Sequence, residues 1–223
     1  FAQGKLNYLI SKTEFNRFYQ IYSYFNRTIK EQVLNLSSAE KQKLYDYLIT
    51  NYKPENRRYL YDFFFDNCAT KIKDVANISL DNGIQFNKPE DFEDASFRTL
   101  IQNNLNRNSW GSLGIDVALG SVIDRQATTE AHMFLPENIY KFFAVANKTK
   151  NGTLLVKQSQ VLYAQKEKRK TNSFLSSPLC ILGIIGLLIV FITYRDHKQN
   201  RQSKWLDVCL FSITGAIGIL ILF

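Results

Sequence analysis

The chain has 223 residues, of which 45% are hydrophobic and 14% aromatic, and a formal net charge of +8. That length admits one domain with a real core, but the hydrophobic average mixes two kinds of sequence, because nearly everything after Thr171 is apolar apart from one short charged stretch. Basic residues alternate with acidic ones except at Lys166, Lys168, Arg169 and Lys170, a cluster that abuts the apolar region, so anionic lipid is the expected partner and nucleic acid is not.

In chain order, Ser11 and Glu14 have capping-box spacing ahead of Phe15, Phe18, Tyr19 and Tyr22, which share one helical face. Residues 27–36 read as a strand. Ser37 and Glu40 repeat the capping box before a helix carrying Leu44, Tyr47 and Leu48, with Pro54 beyond its end. Asp66 and Asn67 are good N-cap types for a helix through Cys68, Ile72, Val75 and Ala76. Asn82-Gly83 through Pro89 suggests an irregular loop. Phe97, Leu100 and Ile101 mark a helix, as do Ile139, Phe142, Phe143 and Ala146 behind Pro136. After the turn signal Asn151-Gly152, residues 153–165 favour a strand. The fold class is therefore mixed, α+β.

Residues 174–194 carry no charge and are long enough to cross about 30 Å of hydrocarbon at ~1.5 Å per residue, so a transmembrane helix is expected there. A polar loop, 195–204, leads to a second apolar run, 205–223, expected to be a second transmembrane helix cut at the chain end. Lys and Arg are similar in number on the two sides of the first helix, so charge alone does not orient it. The first residue is Phe1, and the apolar run reaches Phe223, which gives the expectation of a piece of a longer protein.

Of the three cysteines, Cys180 and Cys209 lie in the apolar segments, so Cys68 has no partner for a disulfide within the first domain. In the first turn of a helix its thiolate would be favoured by the helix dipole and the free N–H groups, which is what a nucleophile needs. The same residue also fits a small buried hydrophobe packed on Phe63, Phe64 and Phe65. His132, ahead of Met133-Phe134-Leu135-Pro136, sits among core or helix-entry residues, and nothing in the sequence brings it to Cys68. No paired Cys/His spacing suggests a metal, and Gly111, Gly114 and Gly120 form no phosphate loop, so no cofactor is expected.

Several stretches together resemble one family. They are Arg27 through Ser37, Asn56-Arg57-Arg58-Tyr59 through Asp66-Asn67-Cys68-Ala69-Thr70, Gly114-Ile115-Asp116 through Ser121, Asp124-Arg125, and Phe134-Leu135-Pro136. In order and spacing they resemble the Lnb N-terminal periplasmic domain family, the bacterial lipoprotein N-acyltransferase B group. The resemblance implies an inner-membrane thiol acyltransferase with a papain-like (permuted thiol-enzyme) domain facing the periplasm. Residues 1–165 would be the catalytic domain, truncated at its N-terminus, and 166–173 a basic juxtamembrane linker. Cys68 matches the family's cysteine, while the family's histidine, in a Gly-His-Ser type motif, lies upstream of the stretch matching Phe1-Ala2-Gln3-Gly4.

The implied reaction moves an acyl chain from a membrane phospholipid, through a Cys68 thioester, to the N-terminal amine of a diacylated lipoprotein. Backbone N–H groups at Cys68 and Ala69, with Asn67, are candidates for oxyanion support. Tyr61, Asp116, Asp124 and Arg125 fall in the matched motifs, and Asp124-Arg125 equally suits a structural ion pair. Two other readings use the same residues: a cell-wall peptide amidase of the same fold, and a non-catalytic membrane-tethered module with Cys68 merely packed.

Overall fold

The computed structural model describes residues 6–166 and 174–222, with side chains described as far as residue 219. In chain order the elements are β1 (Leu6–Leu9), α1 (Phe15–Tyr24), β2 (Ile29–Leu34), α2 (Ser38–Tyr52), β3 (Arg58–Tyr61), α3 (Cys68–Ser79), β4 (Ile84–Gln85), α4 (Phe97–Gln102), α5 (Trp110–Leu119), α6 (Pro136–Val145), β5 (Asn147–Lys148), β6 (Val156–Tyr163), α7 (Pro178–Lys198) and α8 (Lys204–Leu222). They form two compact units, Phe1–Asp94 with Ala127–Lys168, and Ala95–Gln126 with Arg169–Phe223. Residues 95–126, expected from sequence to join the first domain, belong to the second unit.

The first unit mixes helices with three antiparallel two-stranded ladders, β1–β3, β2–β6 and β4–β5. Its core is a contiguous apolar cluster in which Met133, Ile139, Phe142, Phe143, Ala146 and Leu155 meet Ala69, Ala76 and Leu80 of the α3 region. Phe142 and Phe143 are each only 2% exposed, and burying a phenylalanine contributes roughly 1.5–3 kcal/mol. Helix α6 supplies this face because Pro136 at its first turn fixes φ and Ile139, Phe142 and Phe143 recur at helical spacing.

Caps decide where several helices begin. The Ser37–Glu40 capping box forms: Glu40 N donates to Ser37 Oγ at 3.3 Å, and Ser37 N donates to Glu40 at 2.7 Å. Glu40 also pairs with the largely buried Lys148 at 3.0 Å, and Lys148 donates to the Asn35 carbonyl, so α2 is tied to β5 at its first turn. The Ser11–Glu14 box does not form. Glu14 is itself the extended N-cap residue of α1, and no side chain caps that helix. The loop expected from Asn82 to Pro89 contains β4, entered through Asp81 and Asn82 in the left-handed region (φ 55° and 57°).

In the second unit the α-helix starts at Pro178 rather than near Phe174, where there is only a 3-10 turn, Phe174–Ser176. Ser177 is its N-cap, accepting from Cys180 N, and Pro178 occupies the first turn, a start signal stronger than the apolar run itself. The helix continues past Tyr194 to Lys198, so that Arg195, His197 and Lys198 occupy its last turn and complement the negative end of its dipole. Mean hydropathy over its best window is 2.1, and among the described residues it is the one helix long and apolar enough to cross a membrane. Cluster residues Lys168, Arg169 and Lys170 lie outside the described residues.

Candidate active site

The Cys68 site is built by a short turn that closes on itself. After β3, Asp62 and Asp66 exchange backbone hydrogen bonds, each N–H donating to the other's carbonyl at 3.1 Å. Within that loop Asp62 Oδ1 accepts from the Phe64 and Phe65 N–H groups at 2.8 and 2.9 Å. The turn is thereby fixed by local bonds, and it delivers Asn67 in an extended conformation to the start of α3.

Asn67, 4% exposed, then uses its whole side chain. Its Oδ1 accepts from Ala69 N at 2.8 Å and Thr70 N at 3.0 Å. Its Nδ2 donates to the carbonyls of Phe63 at 2.8 Å and Phe134 at 2.9 Å. Thr70 completes a capping box, its Oγ1 accepting from Asn67 N at 2.9 Å. This corrects the sequence expectation for two residues. The Ala69 N–H is taken by Asn67 Oδ1 and the Asn67 Nδ2 donors by the Phe63 and Phe134 carbonyls, so neither is available as an oxyanion donor.

Cys68 follows as the first residue of α3 and is exposed, which removes the reading of a packed, buried thiol. Of the orphan N–H groups in the first turn, those of Ala69 and Thr70 are taken by Asn67 Oδ1, and that of Cys68 has no partner among the described residues. Tyr59 and Tyr61 alternate onto one face of β3, the strand that leads into the Cys68 turn. Burial first, and then negative charge at the Cys68 position, raise both phenols above their usual value. Tyr8 of β1 stacks on Tyr61 at 4.3 Å between ring centres and pairs with Tyr59 in the ladder. Lys71, one turn along α3, pairs with Asp66 at 2.6 Å and lies over the Tyr59 ring at 5.0 Å. Tyr59 lies in the same family-like stretch as Tyr61, and the i/i+2 spacing of the two tyrosines in Arg58–Tyr61 is the signal that pairs them.

A groove of about 440 Å³ lies between β2, α3 and α6. Leu34, Ile72, Ile139 and Phe143 give it an apolar lining, and Lys30 pairs with Glu137 at 2.7 Å on its wall. Ile72 is four residues after Cys68 and so on the same helical face, one turn away.

His132 is a core residue, 2% exposed, with Nδ1 at 2.8 Å from the Thr128 carbonyl and its ring 4.8 Å from that of Phe92. Among the described residues, no group of three or more His, Cys, Asp or Glu side chains could hold a metal ion.

Asp116, Asp124 and Arg125 belong to the second unit and the Cys68 group to the first. They are organised by a residue that sequence reasoning did not single out, Arg98 of α4. Its Nε donates to Asp124 at 2.5 Å, Nη1 donates to Asp116, and Nη2 donates to the Gly120 carbonyl at 2.7 Å. Gln102 donates to the other Asp116 oxygen at 3.2 Å. Arg98 holds the Asp124 carboxyl below the usual carboxylate range. The partner of Asp124 is therefore Arg98 and not Arg125, whose guanidinium lies over the Phe97 ring at 5.2 Å.

Residues 1–103 match the family model described as the Lnb N-terminal periplasmic domain, and residues 169–223 match the Lnb transmembrane domain. The chain belongs to the Lnb family. The Lnb chain is accordingly an inner-membrane protein whose N-terminal domain faces the periplasm, with α7 and α8 in its transmembrane region. Cys68, Asn67, Ala69 and Tyr61 fall inside the periplasmic match, whereas Asp116, Asp124 and Arg125 fall between the two Lnb matches. No curated protein and no solved structure matches the chain.

Proposed function

We propose that this Lnb protein is a thiol acyltransferase that N-acylates diacylated lipoproteins with an acyl chain from phospholipid, using Cys68 as nucleophile on a papain-like domain. The observation that carries the reading is an exposed thiol at the first position of a helix capped by Asn67. In the first step the Cys68 thiolate attacks the ester carbonyl, the C–O bond breaks, and the lysophospholipid alkoxide leaves with a proton. In the second, the lipoprotein's α-amine attacks the thioester, the C–S bond breaks, and the amine's proton is released as the thiolate re-forms. Splitting the aminolysis in two is what a thiol offers over direct attack. The base in this scheme is the histidine that the family resemblance places upstream of Phe1, since His132 is enclosed in the core.

Charge on the tetrahedral oxygen would be met by the Cys68 N–H and by the protonated phenols of Tyr59 and Tyr61, replacing the donors that Asn67 withholds. The groove beginning at Ile72 offers an apolar berth for an acyl chain bound to the sulfur. Both substrates reside in the bilayer to which the transmembrane region holds the domain. The test is replacement of wild type by Cys68→Ser in the full-length protein, in cells that depend on it for lipoprotein N-acylation. The expected result is loss of the N-acyl group from lipoproteins, while N-acylation at the wild-type level would exclude the nucleophile.

A further inference from the structure

Helix α1 is aromatic on both of its faces. Inward, Phe18, Tyr19 and Tyr22 are half-buried, with Tyr19 Oη donating to the Leu162 carbonyl at 3.4 Å and its ring meeting Tyr163 edge-on at 6.3 Å. Outward, Arg17, Ile21 and Tyr24 recur at i, i+4 and i+7, and Phe25 follows at the end of the helix. Tyr24 is 84% exposed, more than any other large apolar or aromatic side chain among the described residues, and Phe25 is 56% exposed. An amphipathic helix needs apolar residues on one face only, so the second face calls for a partner.

Charge and tethering identify that partner. The helix contains no acidic residue and carries Arg17 on its outer face, and the Arg27 guanidinium lies 5.8 Å from the centres of both the Tyr22 and Phe25 rings. Aromatic rings with arginine and no carboxylate suit the head-group layer of an anionic bilayer. The C-terminal end of α1 is also clasped to the segment that leads into the membrane. Asn26, in the left-handed region at φ 52°, donates from Nδ2 to the Lys166 carbonyl at 2.8 Å. Its Oδ1 accepts from Lys166 N at 2.7 Å and from Tyr163 Oη at 3.2 Å, and Thr28 Oγ1 accepts from Gln165 N at 3.1 Å. Residues 167–177, with Lys168, Arg169 and Lys170 among them, connect this joint to Pro178, and when fully extended they span at most ~40 Å.

We infer that the outer face of α1, formed by Arg17, Ile21, Tyr24 and Phe25, rests in the head-group region of the periplasmic leaflet as a second, in-plane attachment of the N-terminal domain. It does not rest on the acyl-transfer reading. Two attachments raise the effective concentration of the domain at the lipid surface beyond what the transmembrane tether alone gives.

The experiment uses the full-length protein in vesicles of phosphatidylethanolamine with phosphatidylglycerol as the anionic lipid. The photo-crosslinking residue p-benzoylphenylalanine replaces Tyr24 or, as a control, Tyr45 of α2, which is 59% exposed. Mass spectrometry after irradiation is expected to find roughly ten-fold more phospholipid adduct at position 24 than at 45, and less at 24 when phosphatidylcholine replaces phosphatidylglycerol. Equal lipid yields at the two positions, or adducts at 24 only to protein, would overturn the inference. A yield at 24 indifferent to anionic lipid would overturn the charge argument.

Discussion

Replacing Asn67 with alanine removes a cap and two buried donors in one step. The cap, with Oδ1 accepting from Ala69 N and Thr70 N, is worth about 1 kcal/mol. The donors leave the Phe63 and Phe134 carbonyls without their amide partner, at about 1–3 kcal/mol for a buried acceptor, less where water reaches it. The expected total is about 3–5 kcal/mol, or a fall of roughly 10 °C in the thermal midpoint of a domain this size. Near-UV circular dichroism of the detergent-solubilised protein, heated with and without the substitution, measures it. Asn67→Ser keeps an acceptor for the cap but loses the two donors, so it should recover only about 1 kcal/mol. Because the same amide sets the first turn of α3, Asn67→Ala should also slow alkylation of Cys68 by iodoacetamide. A midpoint within the error of wild type, with unchanged alkylation, would refute the account of how the thiol is positioned.

Further outcomes follow from the same geometry. Tyr61→Phe is expected to slow acylation of Cys68 by about 100-fold, with little change in thermal midpoint, as measured by single-turnover kinetics. Lys148→Met strands Glu40 beside a largely buried site and should cost about 3 kcal/mol, part of which Glu40→Gln restores in the double variant. The Glu40 carboxyl is held below its ordinary value by its hydrogen bond to Ser37 N and by Lys148, so its contribution is present above about pH 4.5 and is lost as pH falls through the lowered value. Denaturation against pH should lose that acid-dependent component in Glu40→Gln. Arg98→Lys should not rescue Arg98→Ala in thermal stability, because an ammonium cannot reach Asp116, Asp124 and the Gly120 carbonyl together.

What the sequence made legible was local. Ser37 with Glu40, Asn67 ahead of Cys68, Pro136 ahead of Ile139, and the strand pattern of residues 27–36 all act within one turn or one strand, and all are found. Ser11 with Glu14 has the same spacing as a true box, but α1 starts at Phe15, so Glu14 occupies the cap position itself. Helix α5 was hidden because Gly111, Gly114 and Gly120 read as punctuation, although Gly120 alone has positive φ (56°) and ends the helix. The long-range bonds were illegible for a different reason. Nothing local announces that Asn67 Nδ2 meets Phe134 or that Arg98, not the adjacent Arg125, holds Asp124. Those bonds shape both groups of residues, since the first commits an Asn67 Nδ2 donor to the Phe134 carbonyl and the arginine behind the second also holds Asp116.

The central claim is an acyl group carried on Cys68. Incubating the purified full-length protein with phosphatidylethanolamine in mixed micelles, without lipoprotein acceptor, and recording its intact mass tests it most directly. The account predicts a mass increase of one acyl chain, mapped to the Cys68 peptide, reversed by neutral hydroxylamine and absent from Cys68→Ser. An unmodified wild-type protein that nonetheless transfers acyl chains to lipoprotein, or an adduct that persists in Cys68→Ser, would contradict it.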